Sequence, residues 1–317
     1  MSGCIDWTVA SSQRFSMTDH AETIPTIATL RAGDEVAATF ACTRKERLMS
    51  RAGTPYLALE LRDKSGAIPA RIFRDADVAA ARFDRGDLVT VTARVERFRD
   101  QLQLDVRTIE RAPQADPAAF LPVAYRDLDE LDGFFEHLAN EVHDPGFAAL
   151  LGAVLADQPL REALHRAPCT RGGHHAYLGG LLEHTVAVGT LALETCQLHI
   201  KLNSDLLITA ALLHDIGKTE EFTYGAEIAQ SEAGRLLGHV ELGLRIIERH
   251  AARIPAMDDE RRLALAHCVL THHGADAAPN RRFGSAEALA LHRINALDAS
   301  VKGALEQGLG LDGAPSA

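Results

Sequence analysis

Leu206-Leu-Ile-Thr-Ala-Ala-Leu-Leu-His-Asp-Ile-Gly-Lys218 decides how the second half of this chain is read. Its first eight residues are almost wholly apolar, which suits a helix buried on most sides, yet the run ends in an imidazole and a carboxylate side by side. Burying either group is costly unless it is paired or holds a cation. Neighbouring helical residues diverge by about 100° around the axis, so His214 and Asp215 can approach one ion only near the helix edge. Any further ligands must come from other helices.

Working outward, apolar residues at three- and four-residue spacing predict helices at 128–142, 146–166, 180–198, 204–216, 235–250, 258–271 and 285–307. Fourteen of the fifteen histidines lie at or beyond His137, within this helical half. His184 follows Gly179-Gly-Leu-Leu-Glu183, His239 ends Leu236-Leu-Gly-His239, His272-His273 closes the helix at 258–271, and Asp298 lies within Ala296-Leu-Asp-Ala299. A lone histidine in such surroundings is more often a satisfied core residue, and the His272 doublet could cap a helix C-terminus. The joint occurrence points instead to one or two divalent metals. Imidazoles with a bridging carboxylate suit Mn2+ first, then Fe, Co2+, Ni2+, Zn2+ or Mg2+, and suit Ca2+ poorly. Two such ions lower the pKa of a bound water and clamp phosphate oxygens, so that metal-activated hydroxide can attack phosphorus without a protein nucleophile. Lys218, one turn past the pair, could neutralise a nonbridging phosphate oxygen, and its bland alternative is a cation at a helix C-terminus. Arg235 is a weaker phosphate candidate, and His174-His175 before Tyr177 could line the entrance, though a purely structural role is favoured for these three.

The first half reads as β. Glu35–Cys42, Tyr56–Leu61, Ala67–Phe73, Leu88–Val95 and Gln101–Val106 are five short strands separated by Gly, Pro and Asp turns, with room for a short helix at Asp75 to Phe83. That is the content of a five-stranded β-barrel, an OB-fold. Residues 26–111 hold 16 Lys/Arg against 13 Asp/Glu, in a chain whose net charge is −11. Arg44-Lys45-Glu46-Arg47 with Arg51, and Arg94 with Arg97 and Arg99, form basic clusters. Phe40, Tyr56, Phe73 and Phe98 offer stacking faces for bases, or simply fill the barrel. Tyr56, Phe73 and Arg99 are the substrate-binding candidates here.

His184, His214-Asp215 and Asp298 resemble the signature of the HD superfamily of metal-dependent phosphohydrolases. The longer set Gly179-Gly-Leu-Leu-Glu-His-Thr185, Ala211-Leu-Leu-His-Asp-Ile-Gly-Lys218, Gly234-Arg-Leu-Leu-Gly-His239, Leu270-Thr-His-His-Gly274 and Leu297-Asp-Ala299 resembles the YhaM-type 3'-5' exoribonucleases, which also carry an OB-fold ahead of the HD domain. The resemblance implies a multidomain chain, an OB-fold followed by an all-α HD-domain bundle. It makes His184, His214, Asp215 and Asp298 ligands of one metal, with Asp215 bridging to a second held by His239, His272 and His273. Asp215 and, by its own chemistry, Lys218 are the catalytic candidates, and the resemblance makes single-stranded RNA the substrate, with single-stranded DNA a further one.

The resulting division is a tail at 1–25, an OB-fold nucleic-acid-binding domain at 26–113, a Pro/Ala linker at 114–126, the HD domain at 127–307 and a second tail at 308–317. Two rivals remain: an HD phosphohydrolase of nucleotides or cyclic dinucleotides with a regulatory OB-fold, and a non-catalytic nucleic-acid-binding protein. The chain has no P-loop, no GxGxxG after a strand and no GxSxG elbow, which disfavours P-loop, Rossmann and serine-esterase chemistry. Five scattered cysteines without CxxC spacing indicate reduced thiols. Without a signal peptide or a membrane-length apolar run, a cytoplasmic location is expected, with no membrane partner and with a homo-oligomer to enclose the strand.

Overall fold

The computed structural model describes residues 26–50 and 53–308. The tail expected at 1–25, Arg51 and, apart from Gly308, the tail expected at 308–317 lie outside the described residues.

Five strands, β1 (Glu35–Met49), β2 (Pro55–Asp63), β3 (Gly66–Ile72), β4 (Leu88–Phe98) and β5 (Gln101–Arg111), close into a barrel in the order β1-β2-β3-β5-β4. Alternate residues point inward, so Phe40, Leu57, Leu61, Val91 and Leu104 fill the interior and the polar positions between them face out. Phe40 is therefore a core residue and no stacking face. β1 runs seven residues further than its apolar pattern suggests, through Arg44-Lys45-Glu46-Arg47. A bulge between Cys42 and Arg44 bends it, so that its first half pairs with β4 and its second with β2. The short helix α1 (Ala76–Ala80) lies between β3 and β4.

The Pro/Ala stretch after β5 is fastened to both halves. Asp116 caps a 3-10 turn at Pro117–Ala119, Ala115 and Phe120 pack against Ala41, Leu88 and Ala226, and Val123 bridges to Leu178.

The helical half comprises α2 (Leu128–Asn140), α3 (Pro145–Ala156), α4 (Gln158–Arg166), α5 (Gly180–Leu198), α6 (Ser204–Leu213), α7 (Lys218–Glu221), the hairpin β6 (Phe222–Tyr224) and β7 (Ile228–Gln230), then α8 (Glu232–Ala251), α9 (Asp259–Thr271) and α10 (Ala286–Glu306). All eight residues from Leu206 to Leu213 are buried, because α6 is surrounded by α5, α9 and α10. The single helix expected at 146–166 is two. Asp157 leaves helical geometry to cap α4, accepting from the Leu160 amide, with Pro159 in that helix's first turn. α8 is kinked at Gly238 (φ 71°, ψ 163°), immediately before His239. Among the described residues no helix is long and apolar enough to cross a membrane.

Candidate metal centre

Asp215 lies in the tight turn between α6 and α7 and is 2 % exposed. Four imidazoles turn Nε2 toward its carboxylate. His214 and His184 stand 3.3 and 3.5 Å from Oδ2, while His239 and His272 stand 3.4 and 3.5 Å from Oδ1. They come from the ends of α6 and α9 and from within α5 and α8.

In each ring the other nitrogen faces an acceptor. His214 Nδ1 lies 2.8 Å from the Ala211 carbonyl, His272 Nδ1 2.6 Å from the Val269 carbonyl, His184 Nδ1 2.6 Å from Asp298 Oδ2, and His239 Nδ1 3.3 Å from Glu221 Oε2. An acceptor there keeps the proton on Nδ1 and leaves the lone pair on Nε2, the tautomer a metal ligand requires. Two buried atoms at the centre have no hydrogen-bond partner, Asp215 Oδ1 and His272 Nε2. Leaving such a group unpaired costs about 1–3 kcal/mol. Both present lone pairs to the same space, so a cation between them satisfies what no neighbouring donor does.

His273 joins this side, its Nε2 2.9 Å from that of His239, so Asp215, His239, His272 and His273 form one seat of four donors. His184 Nε2 and His214 Nε2, 3.2 Å apart, form a second seat with Asp215 Oδ2. Asp298, expected beside them, is instead placed against Nδ1 of His184 and grouped with His174 and His175. The reason is geometric: α10 passes α5 on the side of His184 turned away from Nε2, toward the 174–175 loop.

Lys218 opens α7 rather than ending a helix, which removes its bland role as a C-terminal cation. It is buried, with Nζ 2.7 Å from Asp215 Oδ2 and 3.4 Å from Cys169 Sγ. Burial opposes its charge, but Asp215 outweighs that and raises its pKa. Burial likewise opposes ionisation of Asp215, yet Lys218, His214 and His272 hold it well below the usual carboxylate range. Burial also lowers His184 and His272 and brings His175 down to about 3, so these rings stay neutral. Gly217 lets α7 meet α8, since a Cβ there would overlap the His239 carbonyl oxygen and the Gly243 amide.

The remaining expected contacts separate. His175 is 1 % exposed and forms part of the inner wall, so it cannot line an entrance; its amide donates to Glu306 at 3.1 Å. Arg235 is exposed on the first turn of α8. On the barrel, Tyr56 and Phe73 stack at 5.3 Å, Arg71 lies over Tyr56 and donates to its hydroxyl, and Arg71 and Arg99 flank Phe98. Phe73 and Phe98 are half-exposed. Arg99 and Asp100 both have positive φ (47° and 65°), a two-residue turn without glycine that carries Arg99 beside Phe98. A cavity of about 420 Å³ borders Arg44, Tyr56 and Arg71. Glu221 was not singled out as a site residue by sequence reasoning. It closes the four-residue α7, which is too short to show a period, and no signal in the sequence marked it.

Residues 181–301 match the family model described as the HD domain, and residues 42–112 match one described as an OB-fold nucleic acid binding domain. The chain is 26 % identical over 258 residues to the 3'-5' exoribonuclease YhaM of Listeria welshimeri, covering 78 % of this chain and 80 % of that one. It is 29 % identical to the protein of the same name from Oceanobacillus iheyensis, over 78 % and 79 % of the two chains. Among solved structures, the HD domain of the Listeria monocytogenes phosphodiesterase PgpH is 22 % identical over 46 % of this chain and 74 % of that one, with a TM-score of 0.28. An HD domain brings dependence on divalent metal, and the donor set around Asp215 fits it. In domain order and over 78 % of its length, the chain is similar to the exoribonucleases named YhaM, with an OB-fold domain followed by an HD domain.

Proposed function

We propose that the protein is a metal-dependent 3'-5' exoribonuclease that hydrolyses the phosphodiester bonds of single-stranded RNA and also accepts single-stranded DNA. The observation that carries this reading is the ring of four Nε2 atoms around one carboxylate whose Oδ1 has no other partner. Divalent ions held there, Mn2+ foremost, would supply an acidified water and polarise a phosphate oxygen.

The chain's own groups do the rest. Asp215 offers one oxygen to each seat and so fixes their spacing. The neutral imidazoles contribute lone pairs without charge, leaving the seats net positive toward a phosphate. Lys218, beside Asp215, adds positive charge where charge builds in the transition state. Tyr56, Phe73, Phe98, Arg71 and Arg99 hold the strand by stacking and backbone charge, each stacked base contributing about 1–3 kcal/mol. Residues 26–113 and 127–307 are the two working domains, joined by 114–126.

The partner in assembly is a second copy. The outer face of α10 carries Leu289, Arg293, Leu297, Val301 and Leu305 at four-residue spacing, all exposed, beside a groove of about 670 Å³ edged by Leu198 and Ile200. The stripe has leucine at its centre and at both ends, with Arg293 and Val301 between them, and carries no acid in a chain of net charge −11. An antiparallel twofold pairing would therefore be self-complementary.

Cleavage of an RNA oligomer by the Mn2+-loaded protein, with mononucleotides and cyclic dinucleotides left intact, tests the assignment. Exclusive attack on the small nucleotides would replace it with a signalling phosphohydrolase.

A further inference from the structure

A single peptide plane joins His272 to His273, and the seat at Asp215 Oδ1 uses both imidazoles. The carbonyl oxygen of that plane lies just past the last turn of α9, where a helix leaves its final carbonyls without internal donors. Among the described residues no backbone amide donates to it. Gly274 then takes φ 145°, so the chain turns away at once and no further helical turn braces the pair.

The missing donor comes from α10. His292 Nδ1 stands 3.0 Å from the His272 carbonyl oxygen, and because a carbonyl only accepts, the proton of that imidazole is on Nδ1. The half-buried ring is itself held: the Phe283 ring packs on it at 5.4 Å and 33°, and its Cε1 lies 4.0 Å from where a Cβ on Gly274 would stand. A peptide unit is planar, so a hydrogen bond to its oxygen fixes the rotation of the whole unit and the two Cα atoms it joins. The ring of His272 has a second brace, its Nδ1 lying 2.6 Å from the Val269 carbonyl. The ring of His273 touches no such acceptor among the described residues, and its Nε2 meets that of His239 at 2.9 Å, so its direction is set by its backbone.

We propose that His292 is a positioning residue for the ion seat of Asp215, His239, His272 and His273, which it serves by holding the 272–273 peptide plane. It touches neither ion nor substrate. The seat of His184 and His214 takes no ligand from this plane. The proposal rests on the metal-centre reading above and adds to it a residue that acts through one seat alone.

The experiment strips the full-length protein with chelator and titrates it calorimetrically with Mn2+, with H292F and H292N beside the wild type and His239→Ala marking which binding step belongs to this seat. Phenylalanine keeps a ring against Phe283 without a donor; asparagine shortens the ring but puts an amide N–H within reach of the carbonyl. H292F is expected to weaken that step about tenfold, as loss of a partner behind a metal ligand does, with the other step unchanged. H292N is expected to bind as the wild type does. The reverse pattern, Phe tolerated and Asn weakened, would show that the ring only fills space and would overturn the proposal. So would equal weakening of both steps alongside a lowered unfolding midpoint of the metal-free protein, which marks general damage. If H292F does not fold, H292N decides alone: wild-type binding upholds the donor role and a weakened step overturns it. A wild type that binds no Mn2+ would sink the metal centre itself and this role with it, whereas two wild-type steps with H292F unchanged would overturn the role of His292 only.

Discussion

Each imidazole around Asp215 is useful because of what sits behind it. His214 and His272 lean on carbonyls of their own helices, three residues back, a partner the fold supplies without any further side chain. His184 and His239 rely on carboxylates from elsewhere, Asp298 and Glu221. Replacing Glu221 with Gln removes the charge while keeping the size, and carboxylates of this kind typically alter metal affinity by about 10–100-fold. Glu221→Gln is therefore expected to weaken ion binding by about that factor at the His239 seat, read by metal titration, with the seat of His184 and His214 unchanged. The same burial sets a pH dependence. His175 is held near 3 in the folded protein against an ordinary 6.5, and burial shifts His184 and His272 in the same direction. Below about pH 6.5 the unfolded chain takes up protons that the folded one refuses, so this stability is present at neutral pH and is lost progressively as pH falls from 6.5 toward 3. The unfolding midpoint of metal-free protein should drop steadily from pH 7.5 to 5. A flat profile would show these rings to be accessible.

The elements explain why ligands so far apart in sequence meet. α6 delivers His214 and Asp215 at its end because its apolar run is buried on all sides, while the kink at Gly238 lets α8 present His239. Gly217 is the contact on which α7 and α8 close. Gly217→Ala would push the α7 backbone off His239 and Gly243. It should reduce activity at least tenfold and lower stability by about 1–3 kcal/mol, as overpacking does, measured by kcat and by denaturant unfolding. This level also marks how far the sequence is legible. Long periodic segments such as α5, α9 and the five strands are readable because burial imposes a period of 3.6 or 2. The hairpin β6–β7 and α7 span three or four residues each and carry no period at all. The basic run Arg44–Arg47 hides the continuation of β1, because its outward charges break the apolar pattern while its backbone still pairs. The histidines and Asp215 were recognisable from their apolar settings. The side of His184 on which Asp298 stands depends on how α10 crosses α5, which no local pattern encodes.

At the scale of the molecule, the metal centre and the barrel are joined by the hairpin that follows Glu221. The Ala226 amide donates to the Gly86 carbonyl at 3.0 Å, and Ala226 is buried against Ala41 and Leu88. The exposed Arg85–Glu227 pair at 3.4 Å adds little. The element carrying Lys218 and Glu221 is thus continuous with the one that touches the strand-binding domain. The proposed pairing of two copies through the outer face of α10 is tested at this scale. Leu289→Glu, far along that helix from Asp298, is expected to shift the protein from dimer to monomer in sedimentation while leaving its metal content unchanged; an unaltered sedimentation coefficient would place the subunit contact elsewhere. The central claim is that ions seated around Asp215 make this chain shorten RNA from its 3' end. It is tested most directly by incubating 5'-labelled single-stranded RNA with metal-stripped protein resupplied with Mn2+, beside Asp215→Ala. The account predicts a ladder shortening from the 3' end with the wild type and none with the variant; an oligomer left intact by the wild type, or shortened equally by the variant, would contradict it.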